Sequence, residues 1–337
     1  MKSDEIVSSY ELNVDGLIKD VESRKSRRII LQFPDGLLEH ATKIAEKISE
    51  KTGSQTIVSL DTCYGACDLA TIAASQLGAD LIIHYGHAEW PGSQGVPVIY
   101  LEAFASLGIQ DLLPAAKDHL SGSKRVGLVS TIQHIHELQV ARRYLEDNGF
   151  KVLIGKAKGR IINDGQVLGC DYSTAKSISD RVDKFLIIAG GEFHAIGLAL
   201  ATKKESIIID PYSREVSTTR GLLRRYVKSR YGCIMEARSA QNLGVVIGLK
   251  SGQLDLARAI RVRDMLEKSG RKVVLFCADN LDPERLNSIK DIDAFVVTAC
   301  PRIAVDDASL FRKPVLTTDE AEMMLSEKLL EAYLKPS

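Results

Sequence analysis

The hydrophobic residues of this chain form short uninterrupted runs, each followed by a polar loop and a stretch of helical periodicity. Three such runs begin a similar pattern, at 28–33, 125–129 and 243–248. The helical stretch after each run ends at a glycine, as is common at helix C-termini: Gly53, Gly149 and Gly270. Uninterrupted apolar strands that alternate with helices predict parallel sheets covered by helices on both faces.

The pattern that follows each glycine repeats as well. A second strand comes next, then a helical stretch that leads to a further apolar strand at 79–83, 184–188 or 294–297, and then a short closing strand. A pattern that recurs in each third of the chain predicts an internal structural repeat. We therefore predict an α/β fold of three similar Rossmann-like units with parallel sheets around a pseudo-threefold axis, at residues 1–115, 116–222 and 223–337. The alternative is one large doubly wound sheet.

Composition narrows the possible functions. The 337 residues contain 44 Lys and Arg against 44 Asp and Glu, so nothing indicates the basic surface of a nucleic-acid-binding protein. No apolar run is long enough to span a membrane, and the polar start does not resemble a secretory signal. Six cysteines in such a chain indicate thiols or metal ligands rather than disulfides, and we expect a cytoplasmic enzyme. One basic run is expected to be a solvated helix face: Arg224, Arg225, Lys228 and Arg230.

The loops after the carboxyl ends of parallel strands are the expected place for a functional site. In the predicted units these loops hold the following candidates: Pro34, Asp35, Gly36, Gln133, His134, Gly190, Gly191, Lys250, Gln253, Cys300 and Arg302. Around a common axis they would converge on one cavity. Lys250 lies in a glycine-flanked segment, 248–252, that resembles a cradle for a phosphate or carboxylate, although it lacks the order of a P-loop. Arg302 suits a two-pronged contact with a carboxylate.

Cysteine supplies the second candidate chemistry. Cys67 and Cys170 both precede an aspartate, and both come before the later apolar strand of their unit. Neither has the closely spaced partner that marks a zinc knuckle. Thiolates hold iron–sulfur clusters, and three of them would leave one iron of a [4Fe–4S] cluster free to bind a substrate. The alternative is that these cysteines are small buried hydrophobic residues.

The third thiolate is ambiguous from the residues alone. The repeat favours Cys277, which follows the second strand of the third unit, whereas the position after a strand end favours Cys300. Cys63 also competes with Cys67, four residues away. Cys233 lies in the link between the second and third units, where a structural role is the simpler interpretation.

Four motifs, taken in order, resemble those of the diphthamide-biosynthesis family. They are Tyr64–Cys67, Thr131–His134, Gly190–His194 and Ala299–Arg302. The resemblance extends over nearly the whole chain and is to the archaeal members of the family. It implies three domains, a homodimer and a [4Fe–4S] cluster held by one cysteine of each domain. Matched motif to motif, these are Cys67, Cys170 and Cys300.

The resemblance also implies the reaction. The reduced cluster, supplied by an external electron donor, breaks the Cγ–S bond of S-adenosyl-L-methionine. The 3-amino-3-carboxypropyl fragment is transferred as a radical to an imidazole carbon of a histidine in translation elongation factor 2, and methylthioadenosine is released. The expected S-adenosylmethionine contacts are the loop candidates: Pro34, Asp35, Gly36, Gln133, His134, Gly190, Gly191, Lys250, Gln253 and Arg302. The alternatives are an enzyme similar to quinolinate synthase and a non-catalytic α/β binding protein.

Overall fold

The computed structural model describes residues 10–11, 13–90, 95–305 and 307–334. The first unit has a four-stranded sheet in the order β3-β2-β4-β5, parallel throughout, and an antiparallel pair of β1 with β6. Its strands are β1 (Tyr10–Glu11), β2 (Arg28–Gln32), β3 (Gln55–Val58), β4 (Leu81–Tyr85), β5 (Val98–Leu101) and β6 (Phe104–Ala105). Its helices are α1 (Val14–Arg24), α2 (Ala41–Thr52) and α3 (Thr71–Leu77), with a 3-10 helix at Asp35–His40.

The second unit has five strands, of which only the last, an edge strand, runs antiparallel. They are β7 (Arg125–Ser130), β8 (Lys151–Ile154), β9 (Lys184–Ile188), β10 (Ser206–Asp210) and β11 (Glu215–Thr218), in the sheet order β8-β7-β9-β10-β11. The helices are α4 (Leu113–His119), α5 (Glu137–Asp147), α6 (Ser173–Lys176) and α7 (Phe193–Thr202), with 3-10 helices at Ile132–His134 and Ser179–Arg181.

The third unit repeats the four-stranded parallel order of the first, as β13-β12-β14-β15. Its strands are β12 (Asn242–Gly248), β13 (Lys272–Ala278), β14 (Ala294–Val297) and β15 (Val315–Thr317). Its helices are α8 (Thr219–Arg238), α9 (Leu256–Lys268), α10 (Pro283–Ser288), α11 (Pro301–Val305), α12 (Thr318–Leu325) and α13 (Glu327–Leu334), with a 3-10 helix at Ala308–Leu310. The three sheets confirm the predicted α/β fold of three similar units.

One hydrogen-bond pattern recurs in all three units. The aspartate directly before the third strand accepts from two backbone N–H groups at the start of the first strand. The sets are Asp80 with Arg27 and Arg28, Asp183 with Lys124 and Arg125, and Asp293 with Gln241 and Asn242. A carboxylate that accepts backbone N–H groups is a charge-assisted contact. In each unit this contact holds the starts of the two central strands together, so their carboxyl ends lie side by side at the opposite edge of the sheet.

Both predicted unit boundaries, 115/116 and 222/223, fall inside helices, in α4 and α8. Ile109 and Leu113 are fully or almost fully buried in the core of the second unit, so that unit begins before the predicted position 116. In α8, Leu222 packs in the second core whereas Ile234 packs in the third. The predicted boundary at 222/223 therefore falls within one continuous helix that joins two cores. Within the described residues, we find no helix with the length and apolar character that a bilayer crossing needs.

Candidate active site

Loops at the carboxyl ends of the three sheets enclose a cavity of about 230 Å³. Cys67 reaches it from the loop between β3 and α3, Cys170 from the loop between β8 and α6, and Cys300 from the turn after β14. The cavity is not lined by the other cysteines, Cys63, Cys233 and Cys277. The structure thus brings one thiol from each unit into the same space.

The three thiols influence one another electrostatically. Desolvation by the surrounding protein raises the pKa of Cys67 and of Cys170, and the neighbouring charge of Cys67 raises the latter further. Burial, with the charges of Cys67 and Cys170, also raises the pKa of Cys300 to about 11, although the Arg302 backbone N–H opposes the rise. With raised pKa values the three thiols keep their protons, which metal binding would replace.

The donor set fits a cluster better than a single ion. Within the described residues, one group of three possible ligand atoms lies within 4.8 Å of one another, and it contains none of the cavity thiols. The three cavity thiols are therefore spaced too widely to bind one metal ion together. Cys277 is exposed on the edge strand β13, and Cys233 contacts the carbonyl oxygen of Val315 from α8. No fourth cysteine reaches the cavity, so one iron of a four-iron cluster would keep a free position.

A segment of the third unit holds the loop that carries Cys67. Lys250 Nζ lies 2.7 Å from Asp68 Oδ1, and both side chains are buried. The N–H of Gly252 donates to the carbonyl oxygen of Cys67 at 2.7 Å. The predicted cradle at 248–252 therefore binds the carboxylate of Asp68, and Lys250 is not among the residues that line the cavity.

Gln253 connects two of the three cysteines. Its Nε2 donates to Cys67 Sγ at 3.5 Å, and its Oε1 accepts the backbone N–H of Cys300 at 3.3 Å. Like Lys250, it lies behind the cavity rather than in its lining. Two of the expected S-adenosylmethionine contacts thus lie against the cysteine loops and can position the thiols of units one and three.

A neighbouring compartment of about 240 Å³ collects most of the other candidates. It is lined by Pro34, Gly36, Gln133, His134 and Gly190, and it shares Thr131, Gln133 and His194 with the cysteine cavity. Gly191 lines a third cavity, together with Arg302. Asp35 is exposed at the start of the first 3-10 helix and lines none of these spaces. The loops of units one and two therefore do meet beside the thiols.

His134 is a buried imidazole with unused hydrogen-bonding capacity. It is fully buried, and neither ring nitrogen has a hydrogen-bond partner among the described residues. Burial lowers its pKa to about 4, so the ring is neutral near pH 7. A neutral imidazole offers one donor and one acceptor. Both nitrogens are therefore available for hydrogen bonds in the second compartment.

Two arginine side chains in the cavity lining each lie over an aromatic ring. The Arg302 guanidinium lies 4.9 Å from the ring centroid of Phe193, and that of Arg160 lies 5.0 Å from the ring centroid of Trp90. All four residues line the cysteine cavity. Arg160 and Trp90 were missed by sequence analysis, because a single arginine or tryptophan in a loop carries no periodic or motif signal. Both guanidinium groups therefore lie where an anionic ligand in the cavity could contact them.

Gly252 offers a direct test of the contact between units one and three. A Cβ at this position would lie 2.5 Å from both Cα and Cβ of Cys67, a clash with backbone that a side-chain rotation cannot relieve. We expect Gly252→Ala to lower the free energy of unfolding by about 1–3 kcal/mol. It should also lower the iron retained after anaerobic reconstitution. Urea unfolding and an iron assay measure the two effects.

The control for this substitution is Gly232→Ala in α8, where an added Cβ meets nothing within 4 Å. Alanine replaces a glycine within a helix there, so we expect a change of about 0.5–1 kcal/mol toward greater stability. Equal stability and iron content in the two variants would contradict the close contact at Cys67.

Comparisons with known proteins agree with this arrangement. The family described as "Putative diphthamide synthesis protein" matches residues 33–334. A 2-(3-amino-3-carboxypropyl)histidine synthase of Pyrococcus horikoshii is 36% identical over 328 residues, 96% of this chain and 92% of the relative. Subunit 1 of the Caenorhabditis elegans enzyme of that name is 29% identical, over 94% of this chain and 81% of the relative. The crystal structure of Dph2 from Pyrococcus horikoshii with a 4Fe-4S cluster has a TM-score of 0.87 at 35% identity, covering 94% of this chain and 91% of that one.

Proposed function

The chain belongs to the family of diphthamide synthesis proteins, and on that premise we propose that it transfers the 3-amino-3-carboxypropyl group of S-adenosyl-L-methionine to a histidine of translation elongation factor 2. The observation that carries the proposal is that Cys67, Cys170 and Cys300, each from a different unit, line one cavity. An enzyme similar to quinolinate synthase and a non-catalytic binding protein lose support, because the family match covers residues 33–334.

The three thiolates are the proposed ligands of a [4Fe–4S] cluster. Their wide spacing, the absence of a fourth cysteine in the lining and their mutual electrostatic influence all suit such a cluster. If bound, the cluster would supply an electron, delivered by an external donor, and a free iron position that S-adenosylmethionine could occupy. Gln253 and the pair of Lys250 with Asp68 then keep the cysteine loops of units one and three in place.

The chain's own residues bind the co-substrate and shield the reactive fragment. Arg302, held on Phe193 at the edge of the cavity, is placed to bind the carboxylate of the aminocarboxypropyl group. Gln133 lines both compartments, and the free nitrogens of His134 offer hydrogen bonds in the second. We propose that the methylthioadenosine part occupies this second compartment. Enclosure by three units limits the access of water to the radical.

The protein substrate requires one open side. Cys170 and Arg302 are exposed, so the cavity is accessible near them. We propose that the target histidine of the elongation factor enters there and that the aminocarboxypropyl group replaces the hydrogen on an imidazole carbon. That hydrogen leaves as a proton, and methylthioadenosine is released. We further propose a homodimer that works in the cytoplasm.

An anaerobic transfer assay tests this function. The cluster-loaded, reduced protein is incubated with S-adenosylmethionine and archaeal elongation factor 2, and the products are followed by chromatography and mass spectrometry. We expect methylthioadenosine together with a mass gain on one histidine of the factor. The matched control is the factor with that histidine replaced, which should gain no mass. Cluster-loaded protein that forms quinolinate from iminoaspartate and dihydroxyacetone phosphate, or that leaves the factor unmodified, would overturn the proposal.

A further inference from the structure

We propose that Cys63, His84 and His87 form a second metal site, for a zinc ion, in the first unit beside the cysteine cavity. Cys63 Sγ lies 3.9 Å from His84 Nε2, which in turn lies 3.0 Å from His87 Nδ1. One ligand atom of each residue falls within 4.8 Å of the other two. This inference goes beyond the proposed function and does not depend on it.

The topology of the first sheet brings these ligands together. Its strand order, β3-β2-β4, places the carboxyl ends of three neighbouring strands side by side. Cys63 follows β3, Gln32 ends β2, and His84 lies in β4 with His87 two residues after its end. Cys63 and His84 are both buried, with His84 fully inaccessible. The site is therefore built into the sheet rather than into a flexible surface loop.

Gln32 determines which ring nitrogen of His84 carries the hydrogen. The Gln32 Nε2 donates to the carbonyl oxygen of Asp68 at 2.7 Å, and the Oε1 accepts the N–H of Ala70 at 3.1 Å, so these two contacts set the orientation of the amide. His84 Nδ1 lies 3.0 Å from that Oε1 and must carry the hydrogen, because the oxygen can only accept. The lone pair of His84 is then on Nε2, which faces Cys63 and His87. A metal-binding histidine commonly donates its second N–H to such an acceptor.

The ligand set favours zinc. A tetrahedral zinc has Zn–S near 2.3 Å and Zn–N about 2.0–2.1 Å, which separates its ligand atoms by roughly 3.4–3.6 Å. The spacings of 3.9 Å and 3.0 Å reach those values with small rotations of the side chains. Without a metal, burial raises the pKa of Cys63 to about 12, so zinc would displace the thiol proton on binding.

One coordination position stays open. Three protein ligands with a free fourth position are typical of catalytic rather than structural zinc sites. His87 also lines the cysteine cavity, whereas Cys63 and His84 lie behind it. His87 therefore connects the proposed site with the cavity where the three other thiols meet. A small ligand with a nitrogen, oxygen or sulfur donor could reach it from there.

Zinc binding to the full-length, cluster-loaded protein tests the site. After anaerobic equilibrium dialysis against buffered zinc, elemental analysis should give about one zinc per chain, and zinc-edge X-ray absorption should show one sulfur and two nitrogen ligands. Cys63→Ala and His84→Ala should each lose this zinc while keeping the iron of the cluster. Cys277→Ala, which removes an exposed thiol, should keep both metals.

The triple variant Cys67→Ala, Cys170→Ala and Cys300→Ala separates the two groups of thiols. It should bind one zinc, or one cobalt with the absorption bands of a thiolate complex, and a further Cys63→Ala change should abolish the binding. Zinc with three sulfur ligands, zinc retained in Cys63→Ala, or no zinc in the cluster-loaded protein would overturn the site. In the last case the three residues form only a buried hydrogen-bonded group. Loss of transfer with retained zinc would instead count against the proposed function alone.

Discussion

Replacement of Cys300 by alanine is expected to remove the bound cluster and reduce transfer of the aminocarboxypropyl group to background. The substitution deletes one of three thiols in the cavity and leaves the contact between the Cys300 N–H and Gln253 Oε1 intact, because that contact uses the backbone. Two remaining thiolates cannot hold four irons against solvent. The same loss is expected for Cys67→Ala and Cys170→Ala. Iron and labile sulfide analysis, together with the anaerobic transfer assay, measure the result.

The matched controls are Cys277→Ala and Cys63→Ala. Cys277 is exposed on an edge strand, and Cys63 faces His84 rather than the cavity. Both variants should retain the iron of the unsubstituted protein. If Cys277→Ala loses the cluster while Cys300→Ala keeps it, the proposed ligand set is wrong and the repeat position is the better guide.

The sequence predicted the three-unit fold because its apolar runs are nearly all central strands. β4, β9 and β14 are buried along almost their whole length, so they appear as uninterrupted hydrophobic segments. The rule that functional loops follow carboxyl strand ends then selected loops that meet in space, since Gln133, Cys300 and Arg302 all line the cavity. The repeated aspartates before these strands were a further signal, since Asp80, Asp183 and Asp293 make equivalent backbone contacts.

Contacts between units were not predictable from local pattern. Lys250 lies 182 positions from Asp68, its partner in the ion pair. The sequence of segment 248–252 does not show whether it binds a ligand or a neighbouring loop of the same chain. The repeat also did not indicate that Cys277 lies outside the cavity. In the third unit the strand β13 continues to Ala278, so this cysteine lies within a strand, whereas Cys170 lies in a loop well beyond β8. A sequence repeat predicts where a residue falls along its unit. The length of the preceding strand then decides whether that residue lies within the strand or in the loop after it.

Arg230→Met is expected to lower the free energy of unfolding by about 3–5 kcal/mol, the range found when one partner of a buried ion pair is removed. Arg230 was predicted to lie on a solvated helix face, and this was wrong, because it is 2% exposed although Arg224, Arg225 and Lys228 are exposed. Its guanidinium donates to both carboxylate oxygens of Glu320, at 2.7 and 2.6 Å. It also donates to the carbonyl oxygens of Ala304 and Val315. Urea unfolding followed by circular dichroism measures the change.

The size of this effect comes from the charge that is left behind. Without Arg230, the buried carboxylate of Glu320 keeps, among the residues that the structure describes, only its contact with the N–H of Thr317 at the start of α12. The double variant Arg230→Met and Glu320→Leu removes that unpaired charge and should recover part of the loss, whereas Arg224→Met on the exposed face should change stability by less than about 0.5 kcal/mol. A loss in Arg230→Met as small as that of Arg224→Met would contradict the buried pair. Because Ala304 lies in α11, directly after Cys300, Arg230 also connects the third cysteine loop to α8, and iron retention in Arg230→Met should fall with stability.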